Sequence, residues 1–213
     1  MEERLELSAE GGLLVLSKVK RTWKSDRKDI ISEEEIYQKV IKRKAIMRDK
    51  AFVLMLWFTG ARLHEVLNLT VRDIEIGQDY IAVKIKTLKR KDHAVRINYI
   101  PIRHPFSIIL MKYLYRRVRY AKYKNQNIRI FPFRKTKAEE IIKEFDPYWY
   151  PHLFRHTRAT LLAMDPRIAL HMHVKWFGWK DPKMSEHYFD AVGRSTKELA
   201  DIFWKQYIKQ NNT

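Results

Sequence analysis

The sequence predicts a mostly helical α+β domain with one small antiparallel sheet. Three observations favour this fold class. Most segments of the 213-residue chain follow helical periodicity, two short segments alternate and are rich in β-branched residues, and 46% of the residues are hydrophobic. That content is enough to build a core in a chain of this length, so disorder of the whole chain is excluded.

The beginning of the domain is predicted from a helix-start signal. Ser32 followed by Glu35 forms a capping box, which indicates a helix from Ser32 to about Lys44. Residues 1–31 are mixed in character and end in a basic cluster, which is typical of a tail or linker. We therefore expect the domain at 32–213, after a tail or the remnant of a linker.

Further helices follow from apolar periodicity. A buried helix is predicted over about Arg48 to Phe58, where Thr59-Gly60 stops it, and a short amphipathic helix over about Ala61 to Leu69. Helical patterns resume after residue 105. They predict helices over about 106–121, 136–144, 152–164, 167–177, 182–189 and 196–210.

The two alternating segments are the predicted strands. Residues 80–86 and 94–102 alternate and carry β-branched side chains, with a charged stretch at 89–93 between them. They predict an antiparallel hairpin or two strands of a small sheet.

The charge balance favours a polyanionic partner. Lys and Arg total 43 and Asp and Glu total 25, which gives a formal net charge of +18. Such an excess favours nucleic acid over the alternatives, a solvated basic surface or an anionic membrane. The chain has no cysteine, which excludes disulfides, thiolate zinc sites and a cysteine nucleophile.

We expect a soluble protein of the reducing cytoplasm, associated with the nucleoid. The first six residues lack the order of a signal peptide, and no stretch approaches the ~18 uncharged apolar residues of a membrane span. The 32% charged residues, with few Asn and Gln, are typical of thermophilic sources.

Four short patterns carry residues suited to phosphate chemistry. In chain order they are Thr59-Gly60-Ala61-Arg62-Leu63-His64-Glu65, Ile85-Lys86-Thr87, His152-Leu153-Phe154-Arg155-His156, and Phe177-Gly178-Trp179 followed nine residues later by Tyr188. Each alone is common. Together and in this order they resemble the catalytic domain of the tyrosine recombinase, or phage-integrase, family, over roughly residues 32–210. The resemblance and the composition imply an archaeal or thermophilic mobile element as the source.

The two arginines make chemical sense without the family. Transesterification at a phosphodiester needs a nucleophile, donors for the equatorial oxygens and an acid for the leaving oxygen. Arg62 and Arg155 suit the second task, because a guanidinium is permanently charged and binds two oxygens in a planar fork. Arg62 follows a glycine turn at a helix start, and Arg155 shares a helix face with His152. Both arginines can therefore address one phosphate.

The resemblance implies the roles of the other residues. Tyr188 would attack phosphorus and leave a 3′-phosphotyrosyl intermediate, which allows religation without ATP. Lys86 would protonate the 5′-hydroxyl leaving group, and His152 would assist proton transfer or hold the phosphate. Trp179 stands where many members carry a second histidine, and its indole can donate a hydrogen bond but cannot titrate. Glu65 would orient an Arg or His within the site.

Structural interpretations of these residues stay open beside the catalytic ones. Arg62 can be a surface residue at a helix start, and Tyr188 can be a core aromatic. Lys86 is one of several basic residues on the hairpin, and we prefer it because the Lys-Thr pair after an alternating strand matches the family's hairpin. The others are Lys84, Lys89, Arg90 and Lys91.

Two further features have more than one interpretation. Histidines at 152, 156, 171 and 173 suggest a metal site, but the metalloprotease arrangement with its Glu is missing, so we expect no metal. The apolar stripe of the predicted helix at 196–210 can pack on its own domain or dock on a neighbouring protomer.

The sequence thus predicts a site-specific recombinase or integrase that cleaves and rejoins duplex DNA, without a metal or nucleotide cofactor. We expect a monomer in solution and a homo-tetramer on the DNA synapse. The alternatives are a type IB topoisomerase-like enzyme, a non-catalytic basic DNA-binding protein and a membrane-binding basic protein. The family normally has an N-terminal domain that clamps the other side of the DNA. Residues 1–31 are either the remnant of a truncation, or the chain is a compact recombinase that relies on partners.

Overall fold

The fold is helical around one small sheet, as predicted. A computed structural model describes residues 30–87, 94–122 and 126–192. Most of the predicted tail, the tip of the hairpin and the last predicted helix lie outside these ranges. The described elements are α1 Glu33–Ile36, α2 Met47–Thr59, α3 Leu63–Leu67, β1 Ile74–Ile76, β2 Tyr80–Lys86, β3 Val95–Pro101, α4 Ser107–Lys122, α5 Lys135–Phe145, α6 Pro151–Met164, α7 Leu170–Phe177 and α8 Lys183–Val192.

Helix α2 forms the centre of the core. Every residue from Ala51 to Thr59 is buried, and the helix packs against both α4 and α6. A helix that is apolar on all sides has no solvent face to offer, so it is covered all round. The predicted buried helix is thereby confirmed, and its C-terminal end delivers the chain to the interior of the domain.

The sheet is antiparallel, with strand order β1-β2-β3. The hairpin of β2 and β3 is confirmed, and its register pairs Ile85 with Arg96 and Lys86 with Val95. Strand β1 was not predicted, because three residues are too few to show alternation.

Strand β3 turns polar side chains toward the core. Its inward positions are Arg96, Asn98 and Ile100, all of which are buried. The apolar residues between them, among them Ile97 and Tyr99, are exposed. Two of the three inward side chains are therefore polar, and the partners of these polar groups have to be found inside the domain.

Two helix starts show how local hydrogen bonds set the boundaries. The Ser32 hydroxyl accepts from the Glu35 N–H at 3.1 Å and the Glu35 carboxylate accepts from the Ser32 N–H at 3.1 Å, which confirms the capping box. The helix continues as a π-helical turn and ends at Ile41, before the predicted Lys44. Helix α7 begins at Leu170, later than predicted, because Asp165 accepts from both the backbone and the guanidinium of Arg167 in a preceding turn.

Within the described ranges, no helix has the length and apolar character that a membrane crossing requires.

Candidate active site

The first part of the candidate site is the turn that carries Arg62. Helix α2 ends at Gly60, whose φ of +59° lies in the left-handed region. A Cβ at Gly60 would lie 2.8 Å from Phe177 Cε1 and 2.9 Å from Arg158 Cβ, so a larger residue does not fit. The chain then passes through buried Ala61 to Arg62, which caps α3. The sharp turn against α6 and α7 is what places Arg62 at the edge of the core.

Glu65 fixes the conformation of Arg62 and joins it to the sheet. One carboxylate oxygen accepts from Arg62 Nη1 at 3.0 Å, and the other accepts from the Arg62 backbone N–H at 2.9 Å and from Arg96 Nη2 at 2.8 Å. Burial works to raise the pKa of Glu65, but the hydrogen bonds and charges of Arg96 and then Arg62 lower it below its ordinary value. Glu65 is therefore a buried carboxylate that stays ionised between two arginines.

Arg155 is buried on α6, directly behind the Arg62 turn. Its Nη1 donates to the Gly60 carbonyl at 3.0 Å and its Nη2 to the Phe177 carbonyl at 3.5 Å. The guanidinium carbon lies 5.3 Å from the centre of the Trp179 ring. Burial, followed by the charge of Arg62, lowers the pKa of Arg155 to about 9, so the side chain is still charged at neutral pH. Two cations are thus held close together, and their mutual repulsion would be relieved by an anion.

Tyr188, on helix α8, lies close to Arg155 of helix α6. Its ring stacks on Trp179, with centroids 5.8 Å apart and planes at 11°, and it contacts His156 at a centroid distance of 5.5 Å. Burial raises the pKa of the half-buried Tyr188 hydroxyl, and the charge of Arg155 opposes that rise. The phenol is therefore neutral at pH 7, with its oxygen within the field of Arg155.

His173 joins the three helices around this tyrosine. Its Nε2 is 3.0 Å from the Ala159 carbonyl of α6, and its Nδ1 is hydrogen-bonded to the Ser185 hydroxyl of α8. The neutral tautomer with the proton on Nε2 satisfies both partners. Burial and the charge of Arg155 lower the pKa of His173, while the bond to Ala159 partly opposes this. His173 thus fixes α8, and with it Tyr188, against α6 and α7.

The structure brings together five of the seven predicted site residues and places the other two on bordering segments. Lys86 is exposed at the end of β2, and His152 is exposed in the first turn of α6, one turn before Arg155. The five that cluster are Arg62, Glu65, Arg155, Trp179 and Tyr188.

Sequence reasoning missed Arg96 and the structural use of His173. Arg96 stands in an alternating strand, where an arginine is ordinarily assigned to the solvent side, so its inward position is visible only in the fold. His173 has no local signal, because its partners Ala159 and Ser185 come from two other helices. Among the described residues, no group of three or more His, Asp or Glu is placed to hold a metal ion.

Comparison with known proteins identifies the family of this chain. Residues 31–193 match the Phage integrase family, which is most of the chain, and the protein belongs to that family. It is 28% identical to Tyrosine recombinase XerA of Saccharolobus solfataricus over 171 residues, which cover 78% of this chain and 54% of XerA.

Two solved structures share the fold at low sequence identity. The XerH site-specific recombinase, solved in a pre-cleavage complex with its difH substrate, superposes with a TM-score of 0.58 at 20% identity, covering 82% of this chain and 53% of XerH. The catalytic domain of bacteriophage HP1 integrase gives a TM-score of 0.55 at 16% identity, covering 81% of this chain and 93% of that domain. The chain thus spans about half the length of XerA and XerH and nearly all of an isolated catalytic domain.

Proposed function

We propose that this chain is the catalytic domain of a tyrosine site-specific recombinase, which cleaves and rejoins duplex DNA through a 3′-phosphotyrosyl intermediate. The observation that carries the proposal is the position of Arg155. Its buried guanidinium binds the turn that presents Arg62, and its charge acts on the hydroxyl of Tyr188. A buried cation beside a phenol, with a second cation on the adjoining turn, suits attack on a phosphodiester.

Three residues carry out the bond-making and proton-transfer steps. The Tyr188 oxygen forms a bond to phosphorus while the bond from phosphorus to the 5′-oxygen breaks, and Lys86 gives that oxygen a proton. His152 takes the phenol proton, and it can also hold the phosphate. The intermediate preserves the phosphoester, so attack by a 5′-hydroxyl reverses the reaction and rejoins the strand without ATP.

The arginines and their neighbours stabilise the charge that develops on phosphate. Arg62 and Arg155 donate to the equatorial oxygens, Glu65 holds Arg62 in place, and Trp179 packs under Tyr188 and can offer its indole N–H. Two fixed guanidinium groups supply the positive charge that a metal ion supplies in many nucleases, so no metal and no nucleotide cofactor is part of the proposal.

The proposed partner is duplex DNA, which the net charge of +18 supports. Residues 32–213 would form the catalytic domain. We further propose a monomer in solution that assembles as a homo-tetramer on the DNA synapse, acting in the cytoplasm on nucleoid DNA.

The proposal is tested by trapping the covalent intermediate. The protein is incubated in EDTA with a library of nicked suicide duplexes of randomised sequence, denatured in SDS, and analysed for protein-linked DNA on a gel. We expect an adduct with the wild type and none with Tyr188→Phe, which removes a single hydroxyl.

Duplex affinity is the matched control for this experiment. Tyr188→Phe should bind DNA nearly as well as the wild type, because binding depends mainly on surface charge. An adduct that persists in Tyr188→Phe would mean another nucleophile. Binding by the wild type without any adduct would favour a non-catalytic DNA-binding protein, and loss of the adduct in EDTA with recovery in Mg²⁺ would reject the metal-free mechanism.

A further inference from the structure

Arg96 is a buried arginine that the reaction described above does not use. It points inward from β3 with a side chain that is only 4% exposed. A buried guanidinium is costly unless charged and polar partners compensate it. The presence of Arg96 inside the domain is therefore explained by the groups that it contacts.

Arg96 contacts two segments of the candidate site with the two ends of one guanidinium. Its Nη2 donates to Glu65 at 2.8 Å, and Glu65 in turn holds Arg62. Its Nη1 donates to the Thr87 hydroxyl at 3.1 Å. Thr87 is the residue directly after Lys86, and its backbone N–H closes the hairpin by donating to Ala94 at 2.9 Å.

A third segment packs on the same guanidinium stem. A Cβ at Gly178 would lie 2.7 Å from Thr87 Oγ1 and 3.2 Å from Arg96 Cδ, so the turn between α7 and α8 rests directly on this pair. The fork geometry of arginine allows both hydrogen bonds at once, whereas the single ammonium of lysine is a point donor. Arg96 therefore joins the Arg62 turn to the Lys86 hairpin through its own hydrogen bonds.

We propose that Arg96 is a positioning residue that sets Lys86 against the phosphate bound by Arg62 and Arg155. Its own guanidinium is buried and bound to Glu65 and Thr87, so it does not reach the DNA. It acts by fixing the end of β2 relative to the arginine turn. This inference rests on the proposed function, because it assigns Lys86 to protonation of the leaving oxygen.

The test compares two substrates in single-turnover cleavage. One duplex has the normal 5′-oxygen at the cleaved bond, and the other has sulfur, a much better leaving group that needs no acid. Loss of a general acid costs about 10²–10⁴ in rate. Arg96→Met should therefore slow cleavage of the oxygen duplex by about 10²-fold or more and leave cleavage of the sulfur duplex within a few-fold of wild type.

Two additional variants keep the test decisive if Arg96→Met does not fold. Thr87→Val removes one hydroxyl at nearly constant volume. Arg96→Lys keeps a positive charge beside Glu65 but cannot bind Glu65 and Thr87 with the two ends of one guanidinium. Both should show the same preference for sulfur to a smaller degree. In a Lys86→Ala background, Arg96→Met should slow cleavage of either substrate little further, because Arg96 acts through Lys86.

Arg158→Met is the matched control. It also removes a buried guanidinium, but one that donates to the Trp57 carbonyl of α2 at 2.9 Å and not to the pair of Glu65 and Thr87. It should change both rates by the same factor. Folded Arg96 and Thr87 variants that are slowed equally on both substrates would overturn the positioning role. A wild type that forms no adduct would overturn the proposed function, and this inference with it.

Discussion

Arg155 and Lys86 differ in how firmly the fold holds them, and this difference predicts how they act. Arg155 is buried, bound to two carbonyls and packed on aromatic rings, so its position is set before any ligand arrives. Lys86 has an exposed side chain at the end of a strand. The arginine is suited to preorganised charge stabilisation, and the lysine is suited to a proton transfer that follows substrate binding.

The first prediction separates these two roles. Arg62→Ala or Arg155→Ala should each slow cleavage by roughly 10²–10³-fold, because each removes a donor to the developing charge. A 5′-bridging sulfur should leave these variants slow but restore Lys86→Ala to nearly normal cleavage. Single-turnover rates on both duplexes provide the measurement, with thermal unfolding as a check on folding.

Lys89→Ala and Lys91→Ala are the matched controls, because both residues lie in the basic stretch of sequence that follows Lys86. If the sulfur duplex restores cleavage by one of these variants but not by Lys86→Ala, the general acid is that residue and not Lys86.

Among the elements, α6, α7 and α8 behave as one unit because His173 joins them. The imidazole serves Ala159 and Ser185 as a neutral ring, and a second proton would turn Nδ1 from an acceptor into a donor. The stability of this three-helix unit, and hence the placement of Tyr188, depends on His173 staying neutral.

The second prediction is a pH dependence of stability. The folded pKa of His173 is lowered, so below the unfolded value of about 6.5 the unfolded chain binds a proton that the folded chain does not. Stability from this residue is full above that pH and is lost as the pH falls below it. His173→Gln keeps a donor and an acceptor but cannot titrate.

The measurement is the melting temperature of both proteins at about pH 7.5 and about pH 5.5. The melting temperature of the wild type should fall more than that of His173→Gln between about pH 7.5 and about pH 5.5. Equal losses would mean that His173 is not the titrating group.

The third prediction concerns the turn between α7 and α8. Gly178 has a φ of +63°, and its α-carbon faces Thr87. Gly178→Ala should lower the free energy of unfolding by about 1–3 kcal/mol, because it combines left-handed strain with a short contact. Chemical denaturation measures this. Gly77→Ala is the control, since a Cβ there would meet only the Tyr80 carbonyl at 3.3 Å, and its loss should be smaller. A larger loss for Gly77→Ala would contradict the assigned packing.

The elements that could be predicted from sequence are those whose signals are local. The hairpin of β2 and β3 follows from alternation, and the end of α2 follows from Gly60. The role of Arg96 could not be predicted, because an arginine in an alternating strand is ordinarily assigned to the solvent side. Only the fold shows that the inward positions of β3 are polar, since their partners Glu65 and Trp176 come from distant segments.

At the scale of the whole molecule, charge determines how the protein meets a polyanion. A net charge of +18 gives a long-range attraction that does not depend on which bases are presented. Recognition of a particular sequence needs contacts to base edges in addition, so charge accounts for affinity and approach and leaves specificity to other contacts.

The fourth prediction is a steep salt dependence of duplex binding. Each phosphate neutralised by Lys or Arg should contribute about 0.9 to the slope of log affinity against log salt concentration. Fluorescence anisotropy with a labelled duplex at several salt concentrations measures the slope, and Tyr188→Phe should give the same value as the wild type. A flat response would reassign the excess charge to solubility.

The hydrogen bonds that hold the candidate site together have a consequence for sequence divergence. Many of them end on backbone carbonyls: Trp176 binds the carbonyl of Thr59, Asn98 that of Trp176, and Arg155 that of Phe177. A carbonyl is presented by every amino acid, so these bonds restrict the donor and leave the identity of the acceptor residue free. Acceptor positions can drift without loosening the helices, and a fold built this way can survive in proteins that share only 16–20% of their residues.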